Sequence, residues 1–188
     1  MNLPSVRAID THIATPRLLL EPLAGEHAGP MFDALQEPKI YKWISSCPPQ
    51  TLEELEVDWR ARKAKLSHER EITYFNWAVR RVSDRQLIGT MDAEIKSTRV
   101  ATNVGYVIFP MFWSSGYGTE ALTALSKHLA SCGVTRQTAL VTQGNRASMV
   151  VLERAGFVRS RILPSNDVIE GKTVDDVEYV HLFTPTRF

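Results

Sequence analysis

The stretch Trp113-Ser-Ser-Gly-Tyr-Gly-Thr-Glu-Ala121 constrains this chain more than any other. Before it lies Val104-Gly-Tyr-Val-Ile-Phe109, a run of apolar, β-branched and aromatic residues of the kind that fills a buried strand. After it, Ala121, Leu122, Ala124, Leu125 and Leu129 recur at helical spacing. A strand, a turn of small residues and a helix start make a physical device. The first backbone N–H groups of a helix have no internal partner and point outward at the positive end of its dipole. Gly116 and Gly118 let that backbone come close to a ligand. The natural guest is a phosphate or pyrophosphate. A Gly-x-Gly before a helix also serves as a plain tight turn, so the motif alone leaves both readings open. A P-loop would end in Gly-Lys-Ser/Thr, whereas Gly118 precedes Thr119-Glu120. A dinucleotide fingerprint would place glycine where Ala121 stands.

The rest of the chain narrows the class. Its 188 residues suit one domain, 1–188, with a core over about 15–183 and residues 1–14 as an N-terminal extension. A net charge of +1 argues against a partner bound by neutralising duplex phosphates, so no nucleic acid is expected. No apolar run reaches bilayer-spanning length, and the N-terminus lacks the apolar centre of a signal peptide. Cys47 and Cys132 are too few for a disulfide framework, and neither they nor His68, His128 and His181 show metal-ligand spacing. A cytoplasmic protein without metal or membrane contact, monomer or homodimer, is the expectation.

Local patterns give an order of elements. Arg17–Pro22 reads as a first strand, and a helix within Glu26–Gln36 is expected to stop at Pro38. Thr51-Leu-Glu-Glu54 matches a capping box that opens a charged helix to about His68. Strands are expected over Tyr74–Val79 and Leu87–Ile95, joined by the turn Ser83–Gln86, with the Val104 strand completing an antiparallel meander. After the Thr119 helix come a strand at Thr138–Thr142, a helix at Asn145–Ala155 closed by Gly156, and strands at Phe157–Leu163 and Val177–Phe183. A strand–helix–strand unit inside a meander predicts an α+β domain whose mixed, mostly antiparallel sheet is flanked by helices.

Three separated stretches resemble the GNAT N-acetyltransferases, in particular the ribosomal-protein N-acetyltransferase (RimJ/RimL-like) branch. Thr15-Pro-Arg-Leu-Leu-Leu-Glu-Pro-Leu23 is similar to that branch's opening strand. Gly105-Tyr-Val-Ile-Phe-Pro110 through Gly116-Tyr-Gly-Thr-Glu-Ala121 is similar to its acetyl-CoA motif, and Asn145-Arg-Ala-Ser148 through Gly156-Phe157 to the helix that follows the next strand. Gly89 and Asp175-Asp-Val-Glu-Tyr179 agree more weakly. The resemblance implies the GNAT-like acyl-CoA N-acyltransferase fold and transfer of an acetyl group from acetyl-CoA to a primary amine. The amine attacks the thioester directly, with no covalent enzyme intermediate. The acceptor is a protein N-terminus or a small-molecule amine. The resemblance places acetyl-CoA where the Val104 and Thr138 strands splay. Its pantetheine arm pairs with backbone near Ile108 and Phe109, its pyrophosphate sits on Ser114, Ser115, Gly116, Tyr117, Gly118 and Thr119, and Asn145 and Ser148 also contact it.

This chemistry needs a deprotonated amine, a donor for the oxyanion and a hydrogen bond or proton for the thiolate. Many relatives of this kind carry a tyrosine acid seven residues after the asparagine; here Leu152 stands there, which leaves Ser148 as the donor to the thiolate. Asn145 also reads simply as a helix cap, and Ser148 as a plain helix serine. The branch's glutamate before Gly-Tyr is replaced by Asn103, and a common basic residue of the turn by Ser115. Asp92 and Glu94 share a strand face, where one carboxylate can raise the other's pKa into the range of a base. They also read as solvated strand carboxylates, or as a clamp for a cationic amine while water takes the proton. Tyr41 and Trp43 are candidates for the wall of the acceptor site, and for ordinary packing. The alternative from another class is a catalytically silent acyl-CoA-binding module or sensor, which the missing tyrosine and glutamate keep open.

Overall fold

Eight strands form one sheet in the computed structural model, which describes residues 6–64 and 72–183. They are β1 (Ile13–Ala14), β2 (Leu18–Pro22), β3 (Ile72–Arg81), β4 (Leu87–Lys96), β5 (Val100–Ile108), β6 (Arg136–Thr142), β7 (Val158–Ile169) and β8 (Lys172–Leu182). Their spatial order is β1-β2-β3-β4-β5-β6-β8-β7, and every neighbouring pair is antiparallel except β5–β6. The parallel pair is the one spanned by a helix, α4 (Tyr117–Ser131), as a crossover requires. This is the expected α+β fold with a mixed, mostly antiparallel sheet.

The largest departure from expectation is in the first helical segment. The helix expected within Glu26–Gln36 is broken into a 3-10 turn (Gly25–His27), a single α turn, α2 (Ala28–Met31), and another 3-10 turn (Ala34–Gln36). Gly29 and Pro30 explain it, since glycine costs backbone entropy and proline removes a donor from the ladder. Pro38 opens a further 3-10 segment, Pro38–Trp43, instead of only ending the helix. Thr51 caps α3 (Leu52–Ala64) by accepting the Glu54 N–H at 3.1 Å; its expected continuation to about His68 lies outside the described residues. Within the expected N-terminal extension, α1 (Val6–Ile9) precedes β1, and Ile9 and Ile13 enter the core. The Trp77 indole donates to the Thr11 carbonyl at 3.1 Å, tying this segment to β3. The last two strands are longer than their apolar runs predict, because they form a hairpin that continues to Glu170-Gly171.

The core is built by alternation. Along β4, Met91, Ala93 and Ile95 are buried while Thr90, Asp92 and Glu94 are only partly covered. Phe75, Trp77, Leu122, Leu125 and Phe157 are among the fully buried side chains, each contributing roughly 2–3 kcal/mol of apolar burial. Among the described residues, no helix is long and apolar enough to cross a membrane.

Candidate active site

The site begins where the parallel pair comes apart. β5 and β6 are in register only at Val100–Arg136 and Ala101–Gln137. Beyond that, β5 continues along β4 alone, and β6 along β8. The cause is a β-bulge: Asp92 faces Gly105 and Glu94 faces Thr102, so β5 carries one extra residue. That residue region holds Asn103, at φ +50, in the left-handed conformation that asparagine tolerates. Its amide donates to Glu94 Oε1 at 2.9 Å, and the Thr102 hydroxyl to Glu94 Oε2 at 3.3 Å. Glu94 therefore holds the bulge that opens the sheet.

The phase of the ladder decides which backbone faces the opening. Phe109 donates its N–H to Ile88 at 2.8 Å, and its carbonyl accepts from Phe112 at 2.9 Å. Both of its backbone groups are used internally. The backbone groups of Tyr106 and Ile108 point the other way, toward β6. The Trp113 indole already donates to the Ile108 carbonyl. The edge expected at Ile108 and Phe109 thus falls on Tyr106 and Ile108.

The turn after β5 delivers its N–H groups to the same opening. Ser114 (φ +59) and Gly116 (φ +79) are left-handed, and α4 starts directly after Gly116. Gly116 is the N-cap and supplies no side-chain cap, so the first-turn N–H groups of Tyr117, Gly118 and Thr119 have the arrangement that can receive an anion. The turn is fastened from outside. Glu120 accepts from the Thr15 hydroxyl at 2.6 Å, from the Arg17 N–H at 3.0 Å and from Arg17 Nε at 2.6 Å. Arg17 Nη1 donates to the Ser115 carbonyl at 3.0 Å, and the guanidinium stacks 4.7 Å from the Tyr117 ring centre. Burial pushes the Glu120 carboxyl up, but the hydrogen bonds from Thr15 and Arg17 outweigh it and hold it below its ordinary value. Arg17 is the basic side chain that the serines of the turn lack, supplied from nearly a hundred residues away; nothing local in the sequence pairs the two. A groove of about 820 Å³ runs from this turn along α4, lined by Arg17, Gly116, Thr119, Thr123, Lys127 and Arg154 among others.

Across the opening, α5 (Arg146–Arg154) starts in a different way. Asn145 caps it, its side-chain oxygen accepting the Ser148 N–H at 3.2 Å. The cap reading of Asn145 is therefore realised, and its amide N–H₂ remains as a donor. Ser148 receives a hydrogen bond at 3.3 Å from the hydroxyl of Tyr106, a residue that sequence reasoning passed over as strand filling.

The candidate bases lie on the other face of the sheet. Asp92 pairs across with Gly105, and a Cβ at Gly105 would stand only 2.9 Å from its carboxylate, so the glycine makes room for the acid. Burial raises the Asp92 carboxyl to about 6, with Arg62 of α3 lowering it and Glu94 raising it. Ser148 and the Asp92–Glu94 pair are thus separated by the sheet itself, as a donor to one substrate and a base for another would be. Trp43 lies at the end of β6: its carbonyl accepts from Thr142 at 3.1 Å and its ring covers Gly144. Tyr41 instead turns into its own loop, donating to the Leu35 carbonyl at 2.6 Å. Among the described residues, no group of three or more His, Cys, Asp or Glu could hold a metal ion.

This geometry has counterparts. The acetyltransferase (GNAT) domain family matches residues 17–158. The uncharacterized N-acetyltransferase YoaA of Bacillus subtilis (strain 168) is 23% identical over 153 residues, 80% of this chain and 85% of YoaA. The RimL ribosomal L7/L12 alpha-N-protein acetyltransferase, solved in complex with coenzyme A, superposes with a TM-score of 0.81 at 18% identity, covering 92% of this chain and 98% of RimL. The microcin C7 self-immunity acetyltransferase MccE, in complex with acetyl-CoA and AMP, gives 0.78 at 17%, covering 90% and 94%. At these identities the two structures speak for the fold, and the domain match for the family. With the splayed pair, the uncapped helix start and the domain match together, the chain belongs to the GNAT acetyltransferase family and is an N-acetyltransferase.

Proposed function

We propose that this enzyme binds acetyl-CoA in the opening between β5 and β6 and transfers its acetyl group directly to a primary amine. The observation that carries this is the parting of the two strands beside an uncapped helix start. The pyrophosphate would lie on the N–H groups following Gly116, and the pantetheine would add as a strand along Tyr106 and Ile108. Asn145 would give its amide to the cofactor, and Ser148 its hydroxyl to the thioester sulfur as the C–S bond breaks. The amine would enter over the other face, past Trp43, where Asp92 takes its proton directly or through water while Glu94 keeps the bulge open. The fold's neighbour that is a ribosomal L7/L12 alpha-N-protein acetyltransferase supports a protein N-terminus as acceptor, and a small amine is the second acceptor class of this reading. A cytoplasmic site of action is part of the same reading, and both cysteines are free thiols.

The test is a thermal-shift titration with acetyl-CoA followed by thiol release across an amine panel: spermidine, an aminoglycoside, an amino-acid amide and a peptide with a free N-terminus. At a hundred times its Kd, acetyl-CoA stabilises the fold by about 2.7 kcal/mol, a rise of several degrees in Tm. No shift at millimolar acetyl-CoA would sink the cofactor assignment. A shift with no thiol release from any amine would assign the chain to the silent binding modules. For Asp92 the expected signature is a rate that rises with pH through about 6, a limb that Asp92→Asn removes.

A further inference from the structure

We propose that Tyr106 is a positioning residue for Ser148: its hydroxyl fixes the Ser148 rotor so that the serine proton faces the departing sulfur. The inference rests on the reading of Ser148 as the group that meets the thioester. A serine hydroxyl has one proton and two lone pairs on a free rotor, and near a helix start it readily turns back to the helix's own carbonyls. The Tyr106 hydroxyl lies 3.3 Å from Ser148 Oγ and donates to it. With one lone pair so occupied, the serine proton must point elsewhere, and Ser148 becomes a stronger donor. The distance is long for an O–H···O bond, and catalytic hydrogen bonds of this kind tighten in the Michaelis complex.

The ring is built to hold that position. Tyr106 belongs to the backbone edge that faces the opening, while its side chain lies on the sheet face covered by α4 and α5. A Cβ at Gly118 would meet Tyr106 Cε2 at 3.3 Å and Val151 at 3.7 Å, so the first turn of α4 lies directly on the ring, with Val151 of α5 beside the same glycine. Burial pushes the phenol up, outweighing the opposite pull of the Ser148 hydrogen bond, so it stays protonated and able to donate. The hydroxyl missing at Leu152 is thus supplied from a different element, the strand beneath the helix. In the transfer the amine nitrogen bonds to the acetyl carbon, the C–S bond breaks and its electron pair goes to sulfur. The amine proton leaves to Asp92 or water, Ser148 hydrogen-bonds the thiolate, and neither hydroxyl gives up its proton.

The experiment is a double-mutant cycle on the full chain with acetyl-CoA and the best acceptor of the amine panel. Tyr106→Phe is expected to lower kcat about tenfold, with KM for acetyl-CoA, its thermal shift and the unliganded Tm all little changed. In the Ser148→Ala background the same change should cost less than twofold. Full kcat in Tyr106→Phe overturns the proposal, and so does a tenfold loss that persists without Ser148. A silent Ser148→Ala removes Ser148 from the mechanism and Tyr106 with it, while an intact acetyl-CoA shift leaves the cofactor assignment standing. Absence of turnover with every amine overturns it too. Should Tyr106→Phe fail to fold, a trifluorotyrosine at position 106 keeps the shape. Its phenol ionises at lower pH and stops donating, so kcat should fall along a new descending limb; an unaltered pH profile contradicts the proposal.

Discussion

Two helices begin side by side at the opening of the sheet, and they begin in opposite ways. α4 starts after Gly116, with no side-chain cap, and is fastened from outside by Thr15, Arg17 and Glu120. α5 starts after Asn145, whose side chain caps it from within. The first leaves its first-turn N–H groups without a side-chain cap; the second has one of them taken by its own cap. An anion needs only backbone dipoles in the right place, and the end of the site proposed for phosphate is made of glycine and main chain. The end proposed for the chemistry would need a hydroxyl in one rotamer, and there side chains are held by other side chains. In the proposed reading that division lets serines suffice where a basic residue is common, since the turn is shaped by Arg17 rather than charged by its own residues.

The sharpest way to break the comparison is to give α4 the kind of cap that α5 has. Gly116→Asp does this, since aspartate tolerates the left-handed backbone and caps helix starts well. A Cβ at Gly116 meets only Arg17 Nη2, at an ordinary 3.5 Å, so the fold should survive. The carboxylate then takes the first-turn N–H groups and repels the pyrophosphate. Acetyl-CoA affinity should fall at least 100-fold, about 3 kcal/mol, by calorimetry, with the unliganded Tm lowered by only a few degrees, the cost of a side chain at φ +79. Unaltered affinity would mean that the pyrophosphate lies elsewhere.

The same contrast separates what the sequence showed from what it hid. Gly116, Gly118, Asn145 and Ser148 were legible because turns and helix starts are local, and spacing of three puts Asn145 and Ser148 together. The parallel pair followed from the strand–helix–strand order. The Arg17–Glu120 clamp was not legible, because an ion pair between distant segments has no periodic signature. Tyr106 read as strand filling, since alternation says which face a residue takes but not what waits there. The bulge at Asn103 also escaped. Asparagine's tolerance of positive φ was the available hint, but the extra residue shows only against the partner strand. The broken helix at Gly29-Pro30 was legible in principle: its apolar residues outweighed two helix breakers that should have decided it.

At the capped helix the two jobs of Asn145 can be taken apart. Asn145→Ala removes the acceptor for the Ser148 N–H and should cost about 1 kcal/mol, or roughly 2–4 °C in Tm. Asn145→Asp keeps the cap but replaces the amide donor by a second acceptor oxygen and a negative charge. Its Tm should match the native protein while its KM for acetyl-CoA rises severalfold, by steady-state thiol release. Equal KM values in Asp and native enzymes would reduce Asn145 to a cap.

The smallest effect is expected at the clamp of α4, and its pH dependence is what identifies it. Glu120 has a folded-state pKa below its ordinary 4.5, so it binds fewer protons folded than unfolded as pH falls past that value. Its stabilisation is present in full above about pH 5 and is lost as pH drops through the lower folded value. Glu120→Gln keeps the shape and one acceptor but not the charge. Because the Arg17 side chain is 48% exposed, the pair is screened, and the variant should lose less than about 1 kcal/mol at pH 7. Denaturant melts at a series of pH values should show the two proteins converging below pH 4.5, where the native carboxylate becomes protonated. A constant offset down to pH 3 would mean that the loss is one of packing. The uncapped start would then be held by the fit of Thr15 and Arg17 around it, and not by the charge of Glu120.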